Sequence, residues 1–145
     1  MQGRFPPITQ RRYPGLLQKD ALLWDQFLEK WGKHYDSFDY NVRVGEGAKV
    51  NENLPGYIKY MAKALTQKRI DAVGYSRGEI WLIEVTGYAR VGTLGQIEAY
   101  QRLYQETFEP GQNVQMAIVC HYADRDLARI YVERGISLFV LPYIS

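Results

Sequence analysis

Two apolar runs joined by a short turn constrain the fold of this chain more than any other feature. The runs are RIDAVGY, residues 69–75, and EIWLIEV, residues 79–85, and the turn between them contains Gly78. This arrangement predicts an antiparallel β-hairpin. Asp71 lies near the start of the first run and Glu84 near the end of the second. The second run predicts a strand buried on both faces, where a carboxylate is costly unless it meets a metal ion, a base or hydrogen-bond donors.

The length of the turn decides whether the two carboxylates can cooperate. Strand side chains alternate between faces, so Asp71 and Glu84 share a face only when paired residues have numbers of opposite parity. A two-residue turn at Arg77 and Gly78, or a four-residue loop over 76–79, gives that pairing. A three-residue loop without a bulge would send the carboxylates to opposite faces and exclude a shared metal site.

Helical and strand patterns alternate around this hairpin. Apolar spacing predicts a single α/β domain with a mixed (α+β) sheet and the element order α-β-α-β-β-α-β-α-β. Asp20, Thr93 and Asp124 are the predicted N-terminal caps of three helices, and Gly135 is a predicted helix stop. The predicted helices cover 20–31, 54–67, 93–107 and 124–135, and the predicted strands cover 37–45, 69–75, 79–85, 114–120 and 137–144.

The sequence predicts an extended basic arm over residues 1–18 and a folded domain over 19–145. The arm is rich in proline, which interrupts regular pairing, and in arginine. Free termini of this composition are usually disordered, so an ordered arm would favour contacts with other protein chains in a homo- or hetero-oligomer. We expect residues 1 to about 16 to make few contacts with their own core. The candidate partner-binding residues are Arg4, Arg11, Arg12 and Tyr13.

Composition excludes several classes of function. The net charge is +2, which argues against a general polyanion binder and leaves only a local basic patch for nucleic acid. One cysteine and two histidines give neither an internal disulfide nor a zinc site of usual spacing. No apolar run approaches 18 residues and the N-terminus has no hydrophobic signal core, so we expect a soluble cytoplasmic protein.

Asp71, Glu84, Gln96 and Tyr100 follow one another in an order that resembles the PD-(D/E)XK nuclease superfamily. The chain is most similar to the branch with a Gln-x-x-x-Tyr motif on the helix after the core hairpin. It also resembles small phage-encoded members, in which KRID and IWLIEV have close counterparts. The resemblance covers roughly residues 20–143 in element order, and its specific part lies within 69–104. It implies a restriction-endonuclease-like core.

The resemblance also implies a metal site. Mg²⁺ prefers oxygen ligands and is usually held by one or two carboxylates with water and phosphate. Asp71 and Glu84 would be the carboxylate ligands of Mg²⁺ or Mn²⁺, and the backbone carbonyl of Val85 a third ligand. Glu29 lies on the first helix, where some members carry an additional acidic ligand, but a solvated helix face explains it equally well.

Thr86 departs from the family pattern. Active members carry a lysine two residues after the glutamate, where it orients the attacking water and offsets charge on the phosphate. Threonine can hold a water molecule but supplies no positive charge. Arg90 is our first candidate for a relocated basic residue, followed by Lys68 and Lys63.

Two functions therefore stay open. The missing lysine favours a nuclease fold with a degenerate site and no cofactor, which cuts no DNA and serves as an interaction or assembly component. By resemblance, its setting would be a phage particle (the head–tail or neck region), with the protein in the host cytoplasm and then the virion. The alternative is an active Mg²⁺-dependent DNA endonuclease with a relocated basic residue.

Overall fold

The computed structural model describes residues 3–47 and 52–144, except for the side chains of 64–66. Met1 and Gln2 of the predicted arm and Ser145 of the predicted domain lie outside the described residues. The helices are α1 Gln18–Trp31, α2 Gly56–Thr66, α3 Val91–Phe108 and α4 Arg125–Glu133. The strands are β1 Ser37–Val44, β2 Lys68–Ser76, β3 Glu79–Val85, β4 Tyr88–Ala89, β5 Val114–Cys120, β6 Tyr122–Ala123 and β7 Ile136–Val140.

The main sheet has five strands in the order β1-β2-β3-β5-β7. β1, β2 and β3 are antiparallel neighbours, whereas β3, β5 and β7 run parallel, so the sheet is mixed. One hydrophobic cluster joins one face of the sheet to α3 and α4, and another joins the opposite face to α1. The predicted α/β class and element order are confirmed, with β4 and β6 added as a small parallel pair.

The hairpin of β2 and β3 has the register that the carboxylate pair requires. Ser76 pairs with Glu79 across a two-residue turn, and the ladder continues to Ala72 opposite Ile83. Arg77 and Gly78 in the turn have φ values of 50° and 83°. Positive φ at both central positions matches the right-handed strand twist and is typical of tight hairpins. Continuing this register places Asp71 opposite Glu84.

A kink in β1 lies opposite Asp71. Asn41 has a φ of 55° and stands between the pairs Tyr40–Ala72 and Val42–Ile70. Tyr40 packs in the α1 cluster, whereas Val42 packs in the cluster on the opposite face, so the strand turns over at Asn41. The arm touches this kink, because a Cβ on Gly15 would come within 2.6 Å of the Asn41 side chain. The arm therefore supports the part of the sheet that carries Asp71.

The prediction that the arm avoids its own core is wrong. Phe5 pairs with Phe38 of β1 through two backbone hydrogen bonds. Tyr13, predicted to bind a partner, is 4% exposed, and its hydroxyl donates to the Asp25 carboxylate. The physical reason is that the aromatic rings of the arm gain more by packing on Tyr40 than by remaining in solvent. The order of the arm therefore gives no support for an assembly. Arg4, Arg11 and Arg12 are exposed, and Arg4 lies 4.0 Å from Asp39.

Several predicted boundaries shift. α1 begins at Gln18, so Asp20 lies in the first turn and is not the cap. α3 begins at Val91, and Thr93 lies inside the helix, where its hydroxyl accepts a hydrogen bond from the Arg90 N–H at 3.1 Å. Asp124 caps α4 as predicted by accepting the Asp126 N–H. The last strand ends at Val140, because Pro142 cannot continue a ladder.

No helix among the described residues is both long and apolar enough to cross a membrane.

Candidate active site

Asp71 and Glu84 meet where the β2–β3 ladder ends. The Val85 N–H donates to Asp71 Oδ2 at 2.9 Å, which fixes the aspartate beside β3. Glu84 is 7% exposed, and its Oε2 atom has no hydrogen-bond partner among the described residues. A buried carboxylate oxygen without a partner is costly. The two strands therefore hold a pair of carboxyl groups that lacks part of its hydrogen bonding.

The environment of Glu84 disfavours its charged form. The pKa of the Glu84 carboxyl is raised from 4.5 to about 10, first by burial and then by a hydrogen bond to Asp71 and the charge of Asp71. Asp20 raises the pKa of Glu84 further, and the Val85 N–H lowers it. The site thus favours the protonated form of Glu84 in the absence of a cation. A divalent cation would replace that proton, because it stabilises both carboxylates at once.

Gln96 and Tyr100 of α3 lie together beside the carboxyl pair. Gln96 Nε2 donates to Tyr100 Oη at 2.6 Å, as expected for residues one turn apart. Burial raises the pKa of the Tyr100 hydroxyl, the Gln96 hydrogen bond lowers it, and the charges of Glu84 and Asp71 raise it. The structure therefore brings together the four residues that carried the resemblance.

Asp20 is the acidic residue of α1 that approaches the site, and Glu29 is not. Burial raises the pKa of Asp20, the charge of Asp71 raises it further, and Lys19 and His121 lower it. Glu29 is exposed and lies nine residues further along α1, roughly 13 Å at 1.5 Å per residue. The apolar spacing predicted Asp20 as a helix cap, and this assignment concealed its position near the site. A cap at Leu17 moves Asp20 onto the first turn.

The donor set fits Mg²⁺ only as a partial cage. The described residues contain no group of three or more His, Cys, Asp or Glu side chains arranged to hold a metal ion. Asp20 influences the pair electrostatically without completing such a group. Two hard carboxylates beside an unsatisfied oxygen still suit Mg²⁺, which normally keeps several waters and binds substrate phosphate. The proposed ligation by the Val85 carbonyl stays a prediction.

Thr86 lines a cleft together with two cationic side chains. Its backbone N–H donates to Val119, and its hydroxyl donates to the Tyr88 carbonyl at 3.3 Å. The cleft has a volume of about 430 Å³ and is lined by Lys19, Thr86, Gly87, Tyr88, Arg90 and Thr93. The Arg90 guanidinium lies 5.0 Å from the centre of the Tyr88 ring. Lys19, absent from the sequence-based candidates, therefore faces the same cleft as the lysine position.

The other two basic candidates lie elsewhere. Lys68 is exposed and pairs with Val44 at the start of β2. Lys63 lines a separate cavity of about 610 Å³ with Gly45, Gln67 and Leu103. A further cavity of about 610 Å³ lies between the arm and α1; like the Thr86 cleft it is lined by neither Asp71 nor Glu84, and unlike that cleft it does not contain Thr86. The charge available to the Thr86 cleft thus comes from α1 and from the segment before α3.

The fold matches solved endonuclease structures. A repair endonuclease from Pyrococcus abyssi is 14% identical, with a TM-score of 0.54, over 88% of this chain and 48% of its own. An EndoMS complex with dsDNA is 15% identical, with a TM-score of 0.55, over 94% of this chain and 49% of its own. This chain therefore spans about half the length of either protein. No protein-family model matches the sequence. The comparison with curated proteins found no match.

Proposed function

We propose that this chain is a divalent-metal-dependent DNA endonuclease of the PD-(D/E)XK type. The observation that carries the proposal is the unpartnered, buried Glu84 Oε2 atom beside the Asp71 carboxyl group. A fold needs no such pair for stability, since two adjacent carboxyl groups repel each other once both are charged. A bound Mg²⁺ or Mn²⁺ would offset the negative charge of both carboxylates and so account for the pair.

Asp71 and Glu84 would hold the metal, with the Val85 carbonyl as a third ligand. When bound, the metal supplies charge to polarise the scissile phosphate and lowers the pKa of an attacking water. The Val85 N–H keeps Asp71 in place during this chemistry, because it already donates to Oδ2 at 2.9 Å. Gln96 and Tyr100, hydrogen-bonded to each other on α3 with Tyr100 in the field of the carboxyl pair, would support the site from that helix, in the manner of the Gln-x-x-x-Tyr branch.

Lys19 and Arg90 would supply the positive charge that Thr86 lacks. Both side chains line the cleft that contains Thr86, and electrostatic stabilisation of a phosphate depends on position in space, not on position in the sequence. Lys19 is the better candidate, because Arg90 is engaged with the Tyr88 ring. Thr86 would then hold a water molecule through its hydroxyl, and the relocated ammonium group would orient the phosphate.

DNA is the proposed substrate for two reasons. The cleft at Thr86, two residues after Glu84, is lined by Lys19 and Arg90 although the whole chain carries only +2, and these cations give the local basic patch that a nucleic-acid role requires. One solved structure of the same fold is a complex with dsDNA. An assembly role loses its support, because the ordered arm that favoured it packs on its own domain. The phage setting rests on sequence resemblance alone.

The test is DNA cleavage by matched proteins. Wild type, Asp71→Asn/Glu84→Gln and Glu79→Gln are incubated with supercoiled, linear and branched DNA in Mg²⁺, in Mn²⁺ and in EDTA. Glu79 lies on the same strand five residues before Glu84, so it controls for the loss of a carboxylate on β3. We expect wild type and Glu79→Gln to cut only with metal, and the double variant to be inactive. Equal cutting by the double variant, or no cutting by wild type on any DNA, would overturn the proposal.

A further inference from the structure

Two exposed tyrosines are held side by side at the edge of the candidate site. Tyr88 of β4 pairs directly with Tyr122 of β6, and Ala89 pairs with Ala123. Ala89 is fully buried, so the alternation of strand side chains directs both tyrosines outward. The ring centroids are 4.9 Å apart at 66°, and the residues are 42% and 53% exposed. The backbone thus fixes the spacing of two aromatic rings that stay open to solvent.

One member of this tyrosine pair, Tyr88, lines the cleft that contains Thr86. Tyr88 and Arg90 line the cleft together with Thr86, which lies two residues after Glu84. The Arg90 guanidinium covers part of Tyr88, which adds a cation to the aromatic surface. Aromatic rings beside arginine are the combination with which proteins bind unpaired nucleotides, the rings taking the base and the cation the backbone.

We propose that Tyr88, Tyr122 and Arg90 form a binding site for an unpaired nucleobase next to the phosphate in the cleft. The proposal rests on the proposed function, because it takes DNA as the ligand. Bases within an intact duplex already stack on their neighbours. A tyrosine ring can therefore stack only on a base that has left the duplex stack. The site therefore selects DNA with a bulged, mismatched or single-stranded base over a perfect duplex.

The packing of the tyrosines on each other does not account for their exposure. A pair that served only to cover β4 and β6 would be expected to bury its ring surface, as the Tyr104 and Tyr100 side chains do on α3. Tyr88 and Tyr122 both stay exposed, at the end of the sheet where the parallel strands β3 and β5 finish. Ligands of open α/β sheets bind beyond the carboxyl ends of such strands.

Binding is tested without cleavage, in EDTA. Three DNAs carry 2-aminopurine at one position: as a bulge in a duplex, paired within a duplex, and in a single strand. We expect wild type to bind the bulged and single-stranded DNAs at least tenfold more tightly than the duplex, and to quench the 2-aminopurine fluorescence of the bulge. Tyr88→Ala/Tyr122→Ala should lose this preference and the quenching, whereas Tyr88→Phe/Tyr122→Phe should keep both.

Two further variants guard against misfolding. Tyr122→Leu keeps an apolar side chain without the ring and should lose quenching while its unfolding midpoint stays near that of wild type. Tyr60→Ala removes a tyrosine that is 69% exposed on α2 and outside the cleft lining, and it should behave as wild type. Equal affinity for bulged and paired DNA, no binding to any of the three DNAs, or undiminished quenching by Tyr122→Leu would overturn the base site.

The two proposals fail separately. Preferential binding and quenching without any cleavage in Mg²⁺ would reject the endonuclease and keep the base site. Cleavage of bulged and perfect duplexes at equal rates, with no quenching, would reject the base site and keep the endonuclease.

Discussion

Replacing Glu84 with glutamine should stabilise the protein near neutral pH in the absence of metal. The side chain is buried, one of its oxygens has no partner among the described residues, and Asp71 is its neighbour. Glutamine keeps the shape of the side chain, cannot become negatively charged and can donate to Asp71. A residue retained for metal binding is therefore expected to cost the folded state free energy.

The size of the effect follows from the shifted pKa. The Glu84 carboxyl has a pKa of 4.5 in the unfolded chain and about 10 in the folded protein. Its contribution to stability is complete below pH 4.5 and is lost as the pH rises toward 10. At pH 7, about 2.5 units above the pKa of the unfolded chain, the folded state loses at most about 3 kcal/mol of its free energy of unfolding. We expect the glutamine variant to recover about 1–3 kcal/mol, because its amide is not fully hydrogen-bonded.

Urea unfolding in EDTA at pH 5.5, 7.0 and 8.5 measures this difference. The stability of Glu84→Gln relative to wild type should grow by up to about 1.4 kcal/mol per pH unit, the slope for one proton. The raised pKa of Asp20 acts in the same direction in both proteins and cancels in the comparison. Glu133→Gln, on an exposed position of α4, should parallel wild type. Parallel pH profiles for Glu84→Gln and wild type would refute the reasoning.

Four other substitutions probe the cleft and its surroundings. Asp71→Asn should abolish the increase in unfolding temperature that Mg²⁺ gives wild type, and calorimetry should detect no binding; an unchanged affinity would exclude Asp71 as a ligand. Lys19→Ala should lower the cleavage rate roughly tenfold to a hundredfold, and Thr86→Lys should restore it in that background, because either side chain can place an ammonium group in the cleft. If Lys19→Ala cleaves DNA at the wild-type rate, Arg90 and not Lys19 supplies the positive charge. Tyr100→Phe should cost about 1 kcal/mol in urea unfolding through its lost hydrogen bond to Gln96; a neutral result would mean that Gln96 finds another partner.

The hairpin and its carboxylates could be predicted from the sequence because the determining signals are local. Gly78 predicts a turn whose length the sequence leaves open, and the two-residue turn in the structure fixes the parity of every pair along β2 and β3. Asp71 and Glu84 then have to approach each other, whatever the remaining elements do. Helix periodicity likewise placed Gln96 and Tyr100 one turn apart.

Lys19, one of the two cations that line the cleft, could not be predicted in the same way. Lys19 precedes Thr86 by 67 positions, and only the packing of α1 against the sheet brings them to one cleft. Arg90 was found because it follows the glutamate strand closely in sequence. The prediction for the arm was wrong for a related reason. Its prolines and arginines indicate only the local conformation, whereas the burial of Tyr13 depends on Tyr40 and Asp25, which are distant in sequence.

The pairing of the arm with β1 has a consequence for how this protein behaves at high concentration. β1 is an edge strand, and an edge with free N–H and C=O groups is a template on which other chains can aggregate. Phe5 occupies part of that edge, and Gly3 and Arg4 donate to the side chains of Ser37 and Asp39. Pro6 and Pro7 follow at once, and neither has an N–H with which a further strand could pair. The segment that borders the β1 edge therefore offers no N–H at Pro6 and Pro7, which disfavours the addition of a further strand at this part of the sheet.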